Sequence, residues 1–318
     1  MTHEQHVIFG TGPVGCWVAH ALHSMNLPVR AINRTGHRPA LMPDEVEVVA
    51  ANAASQEVAI AAAQGATVIY QALNPPYHRW QQEFPALQTA TLAAAKATGA
   101  RYVSIDNLYM YDATQPITET SAIAPVSKKG KLRAQMADIV MAAHAQGDIQ
   151  AAVLRSSDYF GPGVTGSALG EMVFGNLVLG KKAQICGSAT MPHSFAYIED
   201  VGQAAALLGT RPEALGNNVW ITPHAPAVTQ GEMVETACQI LGIQPQMTVI
   251  SPTMMRLAGI FIPEARASIE MMYEFTQPFE VRSNRMSKVF SLQPTAIQTG
   301  LERTISWYRE QAKTQPAN

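Results

Sequence analysis

The chain has 318 residues, of which 47% are apolar and 14% charged, and its formal net charge is −2. This composition excludes a disordered chain, and the near-neutral charge argues against electrostatic binding to nucleic acid or to an anionic membrane. The cysteines Cys16, Cys186 and Cys238 are far apart in the sequence, so they predict neither a disulfide framework nor a metal site.

The first 34 residues contain two short apolar runs separated by glycines and an alanine-rich helical segment. The run at 6–9 meets Gly10, Gly12 and Gly15, and the second run lies at 29–32. In a strand, turn, helix, strand unit, these glycines permit a tight turn, the approach of backbone to a pyrophosphate, and close packing of helix on strand. The phosphates would lie at the helix N-terminus. A purely structural turn is the alternative, but the flanking strands favour a dinucleotide site.

The segment after the second strand indicates which dinucleotide would bind. Sites for NAD usually have an acidic residue there, but none occurs between Glu4 and Asp44. The segment has Arg30, Arg34 and Arg38 instead, and Arg34 falls where a 2′-phosphate would lie. A guanidinium binds such a dianion through paired hydrogen bonds. Solvated loop arginines are the alternative, and the sequence favours NADP(H) over NAD(H).

The rest of the first half alternates short β-branched runs with helical segments, which is typical of a doubly wound parallel sheet. The predicted strands are 46–50, 66–72, 101–106 and 149–155, and the predicted helices are 55–64, 80–98 and 128–146. The fold prediction is therefore α/β, with a Rossmann-type sheet. The expected dinucleotide contacts are Gly10, Thr11, Gly12, Pro13, Val14, Gly15, Asn33, Arg34, Asn52, Ala72, Leu73 and Asn74.

Beyond Ser156 the regular alternation ends, and glycine and proline are frequent at 160–170. We therefore expect an NAD(P)-binding Rossmann domain over 1–155 and a smaller, interleaved substrate-binding lobe over 156–318. Segments around 195–222 should return to the Rossmann body, with a strand at 217–222. A capping box formed by Thr229 and Glu232 should begin a helix that ends at Gly242, and the last helix should run from about 295 to 310.

Five segments together resemble the extended short-chain dehydrogenase/reductase superfamily, and more narrowly atypical members of the NAD-dependent epimerase/dehydratase family. They are GTGPVG after the first strand, SIDNLYMYD, KKGKLRAQ, LRSSDYFGPG and HSFAYIEDV. The resemblance covers nearly the whole chain and is most specific in the cofactor half. It implies an enzyme that acts on a carbonyl or alcohol beside the nicotinamide, using a Ser or Thr, a Tyr, and a Lys four residues after that Tyr.

The chain departs from this pattern at two of the three catalytic positions. None of its nine tyrosines has a lysine four residues later. Matching the family's K-L-x-A segment places Lys131 as the lysine, which would hold the cofactor ribose, and Ser127 at the position of the tyrosine. Asn107 stands at the position of the serine. A phenol with a pKa near 10 needs a neighbouring ammonium to act efficiently, so the loss of this tyrosine matters.

Other residues could take the role of the missing tyrosine. Tyr109 and Tyr111 follow the carboxyl end of the fifth strand, where such sheets bind ligands, and Tyr159 follows the sixth. Any of them could present a phenol to a substrate, and Asn107 could donate a hydrogen bond to a carbonyl oxygen. The alternative for Tyr111 is a packed aromatic without a chemical role. Tyr109, Tyr159, Asn107 and Lys131 are therefore the predicted catalytic residues.

Five further polar residues carry weaker expectations. Asp158 stands where the resembled family commonly has Asn, and His193 would either line the substrate cleft or be satisfied within the core. Asp200 is expected to cap a helix at 201–208. Lys128 and Lys129 are expected to be solvated charges at a helix start.

The first functional hypothesis is an NADP(H)-dependent oxidoreductase or epimerase with a non-standard active site, acting on a small carbonyl or hydroxyl substrate. The alternative is a non-catalytic NADP(H)-binding redox sensor or regulatory protein, which the loss of the Tyr and Ser would favour. We expect a small-molecule substrate, no metal, and no nucleic-acid or membrane partner. The apolar run at 254–263 would allow a homodimer interface. The polar start MTHEQH leaves no room for a signal peptide, so a cytoplasmic location is expected.

Overall fold

Seven parallel strands form the central sheet of the computed structural model, which describes residues 4–216 and 219–314. In chain order they are β1 His6–Phe9, β2 Val29–Asn33, β3 Glu47–Ala50, β4 Val68–Gln71, β5 Arg101–Asn107, β6 Gln150–Ser156 and β11 Val219–Ile221. Across the sheet the order is β3-β2-β1-β4-β5-β6-β11. The strand order reverses between β1 and β4, and the carboxyl ends of strands at such a reversal form the ligand crevice of doubly wound sheets.

Helices cover both faces of this sheet. They are α1 Pro13–Ser24, α2 Gln56–Ala62, α3 Trp80–Thr98, α4 Lys128–Ala145 and α6 Ile198–Thr210. Neighbouring residues of β1 belong to different apolar cores, because successive side chains of a strand point to opposite faces. Ile8 packs with α1 and α6, whereas Val7 and Phe9 belong to the core with residues of α2, α3 and α4. Burial on both faces explains why the strands read as continuous apolar runs, and the predicted Rossmann-type α/β fold is confirmed.

The remaining elements are shorter and lie mostly after β6. The strands are β7 Tyr159–Phe160, β8 Ala183–Cys186, β9 Pro192–His193, β10 Ala196–Tyr197, β12 Val228–Thr229 and β13 Met247–Ile250. The helices are α5 Asn176–Val178, α7 Gln230–Leu241, α8 Pro252–Ala258, α9 Pro263–Ser268, α10 Tyr273–Thr276, α11 Arg285–Phe290 and α12 Ile297–Thr314. A π-helical turn precedes α5, at Gly170–Gly175. A third apolar core forms here around Phe160, Phe174 and Leu301. Among the described helices, none has both the length and the apolar composition to cross a bilayer.

Several local predictions can be compared with these elements. The described part of the strand predicted at 217–222 is β11, which pairs in parallel with β6, while residues 217 and 218 lie outside the described residues. Helix α7 has the predicted capping box, with Thr229 and Glu232 exchanging hydrogen bonds. Helix α3 continues through Pro85 and ends at Gly99 in the left-handed conformation. The division of the chain near residue 155 stays a prediction.

The predicted role of Asp200 as a helix cap is wrong. Helix α6 begins at Ile198, so Asp200 lies within its first turn and is 3% exposed. Its carboxylate accepts hydrogen bonds from the backbone N–H and the hydroxyl of Thr295, at 2.8 and 2.7 Å. Asp200 therefore ties α6 to the segment that leads into α12. Burial raises the pKa of its carboxyl group, against the opposing effect of these two hydrogen bonds.

Candidate dinucleotide and substrate site

The three glycines after β1 are required for different physical reasons. Gly10 has a φ of +106°, and a methyl group there would lie 2.6 Å from the carbonyl oxygen of Ala72. A methyl group at Gly15 would lie 1.9 Å from the carbonyl oxygen of Gly10, because α1 crosses directly over the turn. At Gly12 a methyl group would meet nothing within 4 Å. Packing therefore explains Gly10 and Gly15, whereas Gly12 faces open space.

The N-terminus of α1 faces this same space. Gly12 is the N-cap residue, it has no side chain to bond the first N–H groups, and the first turn contains no acidic residue. Pro13 occupies the first turn, where its missing N–H costs nothing. Free N–H groups and the positive end of the helix dipole favour an anion at this position. These features fit a dinucleotide pyrophosphate, with the backbone of Thr11 and Val14 on either side.

Asn33 holds the loop that follows β2. Its amide nitrogen donates to the hydroxyl of Thr11 at 2.9 Å and to the carbonyl oxygen of His37 at 2.8 Å. Its amide oxygen accepts from the N–H of Gly36 at 2.7 Å. Asn33 thus lies where it was predicted, but its polar atoms already bond protein groups. Its role in this geometry is to fix the loop that carries Arg34.

A cavity of about 540 Å³ lies at the carboxyl ends of β2, β3 and β4. Its volume is within the usual range for small-ligand sites. Five of the predicted cofactor residues line it, namely Asn33, Arg34, Asn52, Leu73 and Asn74. Residues that the sequence did not indicate line it as well, including Ala53, Pro75, Arg79 and Gln82. The loops that follow three separate strands are therefore brought together next to the glycine turn.

The three arginines near this cavity differ in their contacts. Arg30 is ion-paired with Glu47 at 2.8 Å, and Arg38 donates to loop carbonyl oxygens, including that of Pro43 at 2.7 Å. Arg34 is exposed, lines the cavity, and has no hydrogen-bond or ion-pair partner among the described residues. Of the three guanidinium groups, that of Arg34 is the one available to an anionic ligand.

The start of helix α4 explains what replaced the family's tyrosine. Ser127, at the tyrosine position, is the N-cap residue, and its hydroxyl accepts from the N–H of Gly130 at 2.9 Å. Its side chain is buried, so its position gives it a structural rather than a chemical task. Lys131, one turn later, is exposed and has no partner among the described side chains. Its ammonium is therefore available to a ligand.

The expectation that Lys129 is solvated is wrong. Its side chain is buried, and its ammonium lies 2.8 Å from Glu270 Oε1 and 2.7 Å from the carbonyl oxygen of Ala267. The same ammonium lies 5.2 Å from the centre of the Tyr77 ring. The Lys129 side chain therefore links α4 to α9 and to the short turn that follows α9. The neighbouring Lys128 is exposed, as expected.

The residues after β5 place one amide and one phenol near the crevice. Asn107 accepts a hydrogen bond from the N–H of Tyr109 at 3.1 Å, and its amide nitrogen has no partner in the described part of the chain. The Tyr109 hydroxyl is hydrogen-bonded to that of Tyr77, and its ring stacks on Trp80. Burial raises the pKa of Tyr109 well above its usual value, and the neighbouring Tyr77 adds to this shift. Tyr109 is therefore a neutral hydrogen-bond donor.

The other two candidate tyrosines differ from Tyr109. Tyr111 is fully buried, its hydroxyl bonds the guanidinium of Arg155, and that group lies 5.2 Å from its ring centre. Tyr111 is accordingly a packed aromatic residue. Tyr159 begins β7 just after the carboxyl end of β6 and keeps part of its surface exposed. Burial is the main cause that raises the pKa of its phenol.

Sequence reasoning missed a buried ion pair beside these residues. Arg133 Nε lies 2.7 Å from Asp106 Oδ1, and both side chains are almost fully buried. The guanidinium also lies 4.4 Å from the centre of the Phe84 ring. Arg133 belongs to the KKGKLRAQ segment, and a charged residue facing inward at that helix spacing was the available signal. The pair joins the end of β5 to α4.

A second missed group surrounds His193, whose ring lies between those of Phe195, Phe275 and Phe279. Its Nε2 is 3.0 Å from Asp158 Oδ2, and its Nδ1 is 3.1 Å from the backbone carbonyl oxygen of Glu274. Burial and the charge of Asp158 raise the pKa of the Glu274 carboxyl group well above its usual range. The sequence drew attention to Asp158 and His193 separately, but it did not indicate that they meet, or that Glu274 joins them, because the three come from distant parts of the chain.

Comparison with known proteins gives three structures that resemble the whole chain. The UDP-glucuronic acid 4-epimerase of Bacillus cereus, in complex with NAD, is 15% identical with a TM-score of 0.78, and the match covers 98% of this chain and 99% of that one. The UDP-glucose 4-epimerase of Thermotoga maritima, with UDP-glucose, is 13% identical with a TM-score of 0.79, covering 97% and 99%. The dTDP-glucose 4,6-dehydratase of Bacillus anthracis, in complex with NAD, is 15% identical with a TM-score of 0.78, covering 98% of each.

At these identities the structural matches show a shared fold, and among curated protein sequences none matches the chain. The family is shown by the sequence itself, because the model of the NAD-dependent epimerase/dehydratase family matches residues 7–221. This match contains the glycine turn, α4 and the strands up to β11. The resemblance noted in the sequence is confirmed: the chain belongs to the NAD-dependent epimerase/dehydratase family and is an enzyme of the epimerase or dehydratase type.

Proposed function

We propose that this enzyme is an NADP(H)-dependent oxidoreductase or epimerase that acts on a small carbonyl or hydroxyl compound. The proposed cofactor preference rests on the guanidinium of Arg34. This group lines the cavity beside the glycine turn and has no partner among the described residues. Arg30 and Arg38 have such partners. A 2′-phosphate is the group of NADP(H) that an unpaired guanidinium would bind, and NAD(H) lacks it.

Each part of the dinucleotide has residues that fit it. The N–H groups that follow Gly12 would bind the pyrophosphate, and Arg34 the 2′-phosphate. The cavity walls formed by Asn52, Leu73 and Asn74 would enclose the adenosine, and the exposed ammonium of Lys131 would bind the ribose next to the nicotinamide. When bound, the dinucleotide supplies or accepts a hydride at its nicotinamide ring. The protein residues hold it in place and orient the substrate.

The substrate oxygen would be held by residues at and just after the end of β5. The amide nitrogen of Asn107, the last residue of β5, has no partner among the described residues, so it can donate a hydrogen bond to a carbonyl or hydroxyl oxygen. The Tyr109 phenol, kept neutral by its burial, is a second donor, and Tyr159 is partly exposed just after β6. Neutral donors of this kind stabilise negative charge that develops on an oxygen during reduction.

The cofactor proposal is tested with Arg34→Ala, using dissociation constants for NADPH and NADH from fluorescence titration. Loss of a charged hydrogen-bond partner should weaken NADPH binding roughly 10- to 100-fold and leave NADH binding unchanged. The matched control is Arg79→Ala, which removes a guanidinium from the same cavity wall. Because Arg79 is ion-paired with Glu83, its removal should not change the preference between the two dinucleotides. Equal losses for NADPH and NADH in Arg34→Ala would contradict the proposal.

Turnover is tested by following oxidation of NADPH with a panel of aldehydes, ketones and nucleotide sugars. The structural relatives named above include epimerases of UDP-sugars, which places that class in the panel. Reduction of at least one compound, slowed by Asn107→Ala and Lys131→Ala, is the expected result. Tight NADPH binding with neither reduction of any compound nor epimerisation of the nucleotide sugars would contradict the catalytic part of the proposal and favour a sensor.

A further inference from the structure

A carboxylate, a histidine and a second carboxyl group meet beside the carboxyl end of β6. Asp158 lies two residues beyond that strand, His193 ends β9, and Glu274 lies on α10. His193 and Glu274 are each 1% exposed, whereas the Asp158 side chain keeps 15% of its surface. Asp158 is therefore the most exposed of the three, and it lies just beyond the carboxyl end of β6, the end at which doubly wound sheets bind their ligands.

The contacts of His193 fix where its protons are. A backbone carbonyl oxygen cannot donate, so the Nδ1 that faces the carbonyl oxygen of Glu274 must carry a hydrogen. In a neutral imidazole the other nitrogen, Nε2, would then present a lone pair to the Asp158 carboxylate 3.0 Å away. Two lone pairs at that distance repel each other, so a favourable contact between Nε2 and Asp158 Oδ2 needs a hydrogen on one of these two atoms.

The backbone keeps this ring from turning over. The N–H of Phe279 donates to the carbonyl oxygen of Pro192, and the N–H of Ser194 donates to that of Phe279, each at 2.9 Å. His193 lies between these two bonds, and three phenylalanine rings enclose its imidazole. A flipped ring would lose both the carbonyl and the carboxylate contact. These contacts therefore fix the orientation of the imidazole ring.

Several polar atoms around this pair lack a well-directed hydrogen bond. They are Asp158 Oδ2, His193 Nε2, Tyr273 Oη and Glu274 Oε1, all buried and without such a partner among the described residues. An unsatisfied buried polar group is destabilising, so four such atoms in one place are not expected from stability alone. Groups of this kind are retained where they serve binding or catalysis.

We propose that Asp158, paired with His193, is the acid and base that exchanges a proton with the substrate. The inference rests on the proposed function and names the residue that takes over from the family's missing tyrosine. In the reducing direction the carbonyl carbon gains a hydride from the reduced dinucleotide, and its oxygen gains the proton of the Asp158–His193 pair. The carbonyl becomes an alcohol, the dinucleotide is oxidised, and water returns one proton to the pair through the exposed part of Asp158.

The other titratable groups near Asp158 and His193 are less suited to exchange a proton with the substrate. Burial lowers the pKa of His224 to about 4 and raises that of the Cys186 thiol to about 11, so neither exchanges protons near neutral pH. Burial raises the pKa values of Glu274 and Tyr109 well above their usual range, which favours the protonated form of each. Tyr273 is held protonated for the same reason. Tyr109 then orients the substrate oxygen, while Asp158 supplies the proton.

The kinetic test measures single-turnover oxidation of NADPH with a substrate found in the panel. Asp158→Asn and His193→Asn should each slow this step by about 10²- to 10⁴-fold, while NADPH affinity stays unchanged. Added imidazole should restore part of the rate in His193→Gly, which a merely structural histidine would not allow. The control is the exposed pair of His23 and Glu45, 3.6 Å apart, whose variants His23→Asn and Glu45→Gln should keep the wild-type rate.

The outcomes separate this inference from the proposed function. A wild-type protein that neither reduces nor epimerises any compound of the panel would overturn the proposed function together with any acid–base role. A wild-type protein that is active, with Asp158→Asn equally fast, would overturn the inference alone. Slowing by Tyr109→Phe to the level expected for Asp158→Asn, with Asp158→Asn near the wild-type rate, would assign the proton to Tyr109 instead.

A second readout needs neither cofactor nor turnover. Nitrogen NMR of the full chain with labelled histidine, assigned through the signal missing in His193→Gln, reports which ring nitrogen carries hydrogen. The expected result is a protonated Nδ1, together with a change in the Nε2 signal in Asp158→Asn. A neutral ring with hydrogen on Nε2 alone would contradict the expected proton position and overturn the inference.

Discussion

The two ends of the site are built from different parts of the chain. At the nucleotide end, backbone N–H groups, a bare glycine and exposed side chains surround a cavity open to solvent, and the loops there follow β1 to β4 in close succession. At the reaction end, side chains from positions as distant as Tyr77 and Glu274 are mostly buried and bond one another. The nucleotide end therefore depends on backbone geometry, and the reaction end depends on paired charges and packing.

The largest expected effect comes from breaking the buried ion pair at the reaction end. Arg133→Leu leaves Asp106 buried without its cation, which should lower the free energy of unfolding by about 3 to 5 kcal/mol. Urea denaturation measures this change. Replacing both residues with leucine should recover much of the loss, because the uncompensated charge is then removed as well.

The matched change at the nucleotide end is Arg79→Leu. Arg79 and Glu83 are 3.2 Å apart on the surface of α3, with more than a third of each side chain exposed. Such pairs contribute less than about 1 kcal/mol. If Arg79→Leu and Arg133→Leu lowered stability equally, the difference drawn here between an open end and a buried end would not hold.

The second effect separates two glycines within the nucleotide end. Gly15→Ala forces a methyl group against the Gly10 carbonyl oxygen, and such overpacking should lower stability by about 1 to 3 kcal/mol. Gly12→Ala meets no protein atom and should cost less than about 1 kcal/mol as an N-cap change. It should nevertheless abolish NADPH binding, since the methyl group occupies the approach to the phosphates. A Gly12→Ala protein that binds NADPH normally would contradict the assigned phosphate position.

The same difference explains what the sequence could predict. The glycine turn, the loop with Arg34 and the parallel sheet follow from residues close together in sequence, so spacing alone indicated them. The cavity also includes Arg79 and Gln82, which no motif indicated, because they reach it from a neighbouring helix.

The reaction end was less predictable, for a physical reason. His193, Asp158 and Glu274 meet only after the chain has folded, and their meaning depends on a 3.0 Å contact and on burial. The same limit explains the errors for Lys129, expected as a solvated charge, and for Asp200, expected as a helix cap. Each is buried against a partner that lies 141 or 95 residues away in the sequence. The pattern of apolar and polar residues indicates the secondary structure of a segment. It does not indicate which distant segment packs against it.

The third effect is a pH dependence at the reaction end. Burial raises the pKa of Glu274 above that of the unfolded chain, so above about pH 4.5 the folded state binds more protons than the unfolded state. Folding stability attributable to Glu274 therefore falls as pH rises. Glu274→Gln removes this proton, and its stability relative to wild type should increase by up to about 1.4 kcal/mol per pH unit.

Urea denaturation of both proteins from pH 5 to 8, a range of about three units, measures this slope. The control is Glu232→Gln at the start of α7, where hydrogen bonds from Thr229 lower the pKa of the carboxyl group. That carboxylate is ionised in both the folded and the unfolded chain across this range, so the stability of its variant relative to wild type should not change with pH. Parallel stability curves for Glu274→Gln and wild type would mean that Glu274 is charged in the folded protein.

The smallest effect concerns Ser127, which stands where the family has its tyrosine. Because its hydroxyl caps α4, Ser127→Ala should lower the free energy of unfolding by about 1 kcal/mol. Thr229→Ala, at the cap of α7, should cost a similar amount. Neither change should alter the rate of NADPH oxidation. A slower rate in Ser127→Ala but not in Thr229→Ala would show that Ser127 takes part in the reaction. The proton would then come from the start of α4 rather than from Asp158.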